Sequence, residues 1–206
     1  MNRCFYILIL ILILVASCNS KNGWDCLQTE GNTVQIDVDV AGFERILVNR
    51  DVELIISEGP EFMVSIESGE HLINDIEVKV VGDQLRISDN NTCNFIRDYG
   101  ITKAFVTAPN ITEIRNSSQF EVSSNGVLNY PNLILNSEDF NEPDSFTVGD
   151  FNLQLNSIAV QIISNNISTF YISGQTENLN VGFFAGAGRF EGSDLIAQNV
   201  QVFHRG

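Results

Sequence analysis

The side chains able to break a bond or hold a cation crowd into one short segment. Glu138, Asp139, Glu142, Asp144 and Asp150 place five carboxylates within thirteen residues. Two carboxylates flanking a glycosidic bond are what hydrolysis of a glycan requires. Several carboxylate oxygens are also what a hard cation such as Ca²⁺ prefers. Pro143 and Gly149 interrupt the same segment, which marks a solvated acidic loop. No EF-hand is present, and the run Gly186 to Asp194 echoes a calcium-binding nonapeptide only once. The Gly186/Gly188 pair precedes no helix, so it reads as turn chemistry and not as a phosphate cradle. His71 and His204 are the only histidines, and neither has a ligand-type neighbour in sequence. Arg97-Asp98-Tyr99-Gly100 reads as a polar loop. The expectation is therefore no catalytic residue, no metal ligand and no cofactor.

A different chemistry belongs to Cys18. Arg3 is followed by an apolar run from Phe5 to Ala16, then Ser17 and Cys18. About a dozen apolar residues is too few to cross a bilayer, which takes about 20. A positive start, an apolar middle and a small-residue end describe an export signal. The ending Leu14-Val15-Ala16-Ser17-Cys18 resembles the lipobox of bacterial lipoproteins. That resemblance implies cleavage before Cys18, a diacylglyceryl thioether on its sulfur, and a further acyl chain such as palmitate on the new amino terminus. Several buried chains, at about 0.8 kcal/mol per CH₂, hold a protein on a membrane where one does not.

Charge narrows the partners. The chain of 206 residues carries 26 Asp+Glu against 11 Lys+Arg, a net charge of −15. After Asn110 only Arg115, Arg189 and Arg205 are basic, against ten acids. Nucleic acid would be repelled across that half. Anionic lipid would be repelled as well, so membrane attachment falls to the anchor on Cys18. In an exported chain, Cys26 and Cys93 remain once Cys4 leaves with the signal and Cys18 carries lipid. An oxidising compartment suits a disulfide between them, closing a loop of about 67 residues and contributing on the order of 4 kcal/mol. Two buried thiols are the alternative.

The elements that must position any site are strands. Val34, Ile36, Val38 and Val40 alternate with polar residues, as do Val52/Leu54/Ile56 and Phe62/Val64/Ile66. Ile76, Val78 and Val80 lead through Gly82-Asp83 into Leu85 and Ile87, a hairpin pattern. Glu70 to Asp75 could make one helical turn. Residues 34–90 thus read as an antiparallel meander. Beyond Asn90, apolar pairs recur with one residue between: Phe120/Val122, Leu133/Leu135, Phe146/Val148, Leu153/Leu155, Val160/Ile162, Phe170/Ile172, Leu179/Val181 and Val200/Val202. The connecting segments are rich in Asn, Ser and Gly, residues of tight turns. Brief strands in a loose repeat point to a right-handed parallel β-helix, or β-solenoid, over residues 91–206. A β-sandwich is the alternative.

Residues 42–206 resemble the DUF2807 family, described as a putative auto-transporter adhesin head GIN domain and common in envelope lipoproteins of Bacteroidetes. The resemblance rests on Gly42-Phe43-Glu44-Arg45-Ile46 followed by Val52-Glu53-Leu54, on Leu85-Arg86-Ile87, and on Val106-Thr107-Ala108-Pro109-Asn110-Ile111. The Gly-rich run Ala185 to Gly192 and the ending Val202-Phe203-His204-Arg205-Gly206 add to it. It implies a β-helical domain at the cell surface with an adhesin-like role. Family members usually continue past the position of His204-Arg205-Gly206, so the expectation here is a truncated chain or a partner that covers the end.

The sequence thus predicts a signal peptide at 1–17, a lipidated cysteine and tether at 18–33, and a β domain at 34–206. The function it implies is a non-catalytic envelope lipoprotein, outer-membrane anchored through Cys18, binding a glycan or a protein and no nucleic acid. A β-helical carbohydrate-active enzyme and a periplasmic sensing or regulatory component are the alternatives.

Overall fold

The computed structural model describes residues 28–91, 102–140 and 146–205. Cys18, Cys26 and Cys93 lie outside these residues, and with them the lipidation and the disulfide; so do Arg97, Tyr99, Glu142 and Asp144.

Alternating apolar and polar residues make every principal element a strand. In the first half these are β1 (Thr33–Val38), β2 (Arg45–Asn49), β3 (Val52–Glu58), β4 (Met63–Gly69), β5 (Ile76–Val81), β6 (Gln84–Asp89) and β7 (Thr102–Ala108). The second half adds β8 (Glu113–Ser117), β9 (Val122–Leu128), β10 (Asn132–Ser137), β11 (Phe151–Ser164), β12 (Thr169–Phe183), β13 (Arg189–Glu191) and β14 (Leu195–His204). The expected helical turn is a single 3-10 turn at Ile73–Asp75. β11 shows the cause most plainly: Phe151, Leu153 and Leu155 are buried, and Asn152, Gln154 and Asn156 between them are exposed, as side chains on alternate faces of a strand must be.

All fourteen strands belong to one sheet. One wing runs through β5, β6, β2, β8 and β10, then the second half of β11, the second half of β12, and β14. The other runs through β1, β4, β7, β3 and β9, then the first half of β11, the first half of β12, and β13. β11 and β12 are long enough to lie in both wings. The sheet therefore bends along them, and the two wings share a single core as a nearly closed mixed barrel. Gly174 sits at that bend with φ +101°, and a Cβ there would come within 2.1 Å of the Leu155 carbonyl oxygen. Only glycine meets both demands.

This architecture corrects the fold expected from the sequence. Neither a parallel β-helix preceded by an antiparallel region nor a β-sandwich describes it. The antiparallel strands are built into the same sheet as the parallel ones. β3 does not pair with β4 in a meander; β7 lies between them, parallel to β3 and antiparallel to β4. β2 and β3 are flanked on their far sides by β8 and β9, so the first half is interleaved with the second. Alternation in sequence reports which face a side chain takes and is silent on the neighbouring strand. The hairpin is as expected: β5 and β6 pair antiparallel through Val81↔Gln84.

Register carries the core across the sheet in columns. In the first wing Leu85, Ile46, Ile114, Leu135, Ile162 and Val181 stand side by side, all buried. In the second wing Ile66, Ala104, Leu54, Val122, Phe151 and Phe170 do the same. Phe151 and Phe170 stack with centroids 4.8 Å apart, and Phe183 tilts against Phe170 at 6.2 Å. Each fully buried aliphatic or phenyl side chain contributes about 1.5–3 kcal/mol.

Candidate functional site

The acidic segment singled out from the sequence is bound into the fold where it is described. Glu138 is buried and paired with buried Arg115: Arg115 Nη2 donates to Glu138 Oε1 at 2.7 Å and Nη1 to its main-chain oxygen at 2.9 Å. The Phe140 amide donates to Glu138 Oε2 at 2.6 Å. Asp139 accepts a hydrogen bond from Asn165, and Asp150 Oδ1 accepts from the Thr169 amide at 2.6 Å. These three carboxylates are each partnered within the protein. Among the described residues no three His, Cys, Asp or Glu side chains come together as a metal site.

The histidines and the glycine pair are also accounted for. His71 Nδ1 lies 2.9 Å from the Thr29 main-chain oxygen, and the His204 ring stands edge-on to Phe183 at 6.0 Å. They belong to different wings. Gly186 has φ +75°, and the Ala187 amide closes the corner onto the Asn166 carbonyl at 2.9 Å, which is turn chemistry.

Among the described residues, burial or pairing shifts the titration of Glu121, Asp83 and Arg45. Burial pushes the Glu121 carboxyl up, with the Asn152 side-chain hydrogen bond opposing and the Glu53 and Asp150 carboxylates adding to the rise. At the surface, Arg45 Nη2 donates to Asp83 Oδ1 at 2.5 Å. That bond holds the Asp83 carboxyl below its usual range and raises the Arg45 guanidinium.

The distinctive surface lies on the outer face of β11, β12 and β14. Each apolar pair that anchors these strands encloses one outward residue, and in register these are Gln161, Asn180 and Gln201. Neighbouring strands are about 4.8 Å apart, so the three amides form a row across the sheet. Among the described residues, no hydrogen bond engages any of these three side chains. Along the same strands, Gly182 leaves room for the edge of the Phe184 ring, whose Cε2 would lie 2.8 Å from a Cβ there. Phe203, in register with Gly182, packs against Phe184 at 5.3 Å with a tilt of 38°. Both rings are about half exposed, Phe184 at 44% and Phe203 at 52%. Amides and rings line a shallow hollow of about 330 Å³.

A second row of amides near the bend behaves differently. Asn156 Nδ2 donates to Asn129 Oδ1, and Gln175 Nε2 to Asn156 Oδ1, both at 2.8 Å. Those amides satisfy one another as a structural ladder, the pattern that stacks of Asn and Gln adopt. The open row on the outer face does not. Sequence reasoning named the pairs Val160/Ile162, Leu179/Val181 and Val200/Val202 and passed over the residue inside each. The signal was there: an amide at all three enclosed positions.

Comparison with known proteins adds the family. The model of DUF2807, "Putative auto-transporter adhesin, head GIN domain", matches residues 42–206. No curated protein matches. Among solved structures, a putative adhesin from Bacteroides fragilis is similar at TM-score 0.58 and 12% identity, covering 85% of this chain and all of the other. A putative lipid binding protein from Parabacteroides distasonis reaches 0.55 at 11% identity, over 84% of this chain and 78% of its own. A putative adhesin from the same organism reaches 0.52 at 11% identity, over 84% and 79%. At these identities the likeness is one of fold.

Proposed function

Because the chain belongs to the DUF2807 family, the adhesin head GIN domain group, we propose that it is a non-catalytic binding module displayed on the cell envelope through a lipid on Cys18. The family and two of the three similar structures bear adhesin names, consistent with a surface or envelope protein. The observation that carries the non-catalytic reading is the fate of the carboxylates. Glu138 is locked to Arg115, and Asp139 and Asp150 serve as hydrogen-bond acceptors for the fold. What the protein offers to a partner is a neutral, hydrogen-bonding outer face.

In this reading the segment that starts at Cys18 and leads into β1 tethers the domain to the outer membrane, and the acidity of the chain keeps it clear of anionic lipid. Protease shaving of intact cells expressing the full-length chain tests it. Degradation on intact cells, with a periplasmic marker spared, is the expected result. Protection until lysis would overturn surface display. Mass spectrometry of the N-terminal peptide checks the anchor, which a C18S variant should lose.

A further inference from the structure

We propose that the outer face of β11, β12 and β14 is a binding site for a neutral glycan chain, held by Gln161, Asn180 and Gln201 and stacked on Phe184 and Phe203. The proposal rests on the surface-module reading and names the ligand class of that module.

Three features of the hollow converge on this ligand. A side-chain amide both donates and accepts, so a row of three can serve sugar hydroxyls whichever way their hydrogens point. These amides are unengaged, whereas those of the Asn129–Asn156–Gln175 row bond to one another. Next to them the tilted Phe184–Phe203 pair offers an apolar platform of the kind that takes the C–H face of a pyranose ring. A concave, partly apolar surface with a few fixed polar groups is the general design of a small-ligand site.

Charge then selects among glycans. No Asp, Glu, Lys or Arg lines the hollow, although the chain as a whole carries −15. No cation waits there for a uronate or a sulfate, and the surrounding field repels both. Repeated sugar units on one side meet repeated amides, about 4.8 Å apart, on the other. An extended polymer running across the strands is therefore the fitting occupant.

The test is affinity electrophoresis of the full-length protein in detergent, in gels containing dextran, galactomannan or xyloglucan, with polygalacturonate as the anionic counterpart. At least one neutral polymer should retard the protein. The F184A/F203A double variant and the Q161A/N180A/Q201A triple variant should each weaken that retardation at least tenfold, with thermal midpoints and sedimentation unchanged. F203Y, which keeps a ring, should restore most of the binding. Retardation by polygalacturonate alone, by none of the polymers, or equally in wild type and variants would overturn the proposal. So would a change of sedimentation in F184A/F203A, because the rings would then be an interface between copies. Loss of this inference leaves the surface-module reading standing if the domain is shaved from intact cells; protection from the protease removes that reading separately.

Discussion

Val181 and Val202 are the same residue type, adjacent in register and turned toward the same core, yet one is 4% exposed and the other 65%. The column they share runs from Leu85 through Ile46, Ile114, Leu135 and Ile162 without a break in burial. At its other end, β5 covers Leu85 with Val80, and Lys79 and Glu77 on the outward side form an ion pair at 2.8 Å. Among the described residues, β14 pairs with β12 alone. From Leu195 to Phe203 it carries no charge, no proline and no glycine, although charges and proline are what natural edge strands use against unwanted pairing. The contrast teaches that burial here is conferred by the next strand over, since the residue itself is unchanged.

Substitutions can break that contrast or sharpen it. The largest effect is expected at the buried ion pair beside β8 and β10: Arg115→Met removes the guanidinium paired with the buried Glu138 carboxylate and should cost about 3–5 kcal/mol, read by chemical denaturation. Within the column, Leu135→Ala should cost about 2–5 kcal/mol through the lost contacts and the cavity left behind. Val202→Ala should stay within about 0.5 kcal/mol, as surface substitutions do. A cost above 2 kcal/mol at Val202 would mean that β14 is covered in solution, and the comparison would collapse.

The smallest effect is a matter of pH. Burial raises the Glu121 carboxyl, so folding favours its protonated form. That contribution is present in full below the ordinary carboxylate range and is lost as pH rises through the raised value. Glu121→Gln should remove this downward slope and raise the thermal midpoint slightly at neutral pH. A pH series of melting curves on both proteins measures it, and identical slopes would show that Glu121 is solvated.

How far the sequence foretold this can be judged at single pairs. Leu133/Leu135, Leu153/Leu155, Val160/Ile162, Phe170/Ile172 and Leu179/Val181 all bury as their alternation predicts. Val200/Val202 carries the same pattern and is exposed, because alternation does not report which strands lie beside a residue. Phe146/Val148 fails for another reason: it lies outside the strands, and the Phe146 ring sits 5.3 Å beneath the Arg50 guanidinium. Beyond the β5–β6 hairpin, strand partners were illegible, since nothing local in β3 announces that β7 and β9 will flank it. The candidate site was hidden differently. Gln161, Asn180 and Gln201 are ordinary polar residues until register sets them in a row beside two rings.

The spacing of paired strands also sets an order of assembly. Phe151 meets Phe170 and Gly174 meets Leu195, contacts between segments about 20 residues apart. Arg45 must wait for Glu113, and Leu54 for Val122, each 68 residues away. The longer loops cost about 1 kcal/mol more to close, and non-local pairing is the slower step in folding. The β11–β12–β14 ladder should therefore acquire hydrogen-exchange protection before β2 and β3 do, and serve as the template on which the N-terminal strands settle. The half of the chain that carries the open amide row is then also the half that forms first.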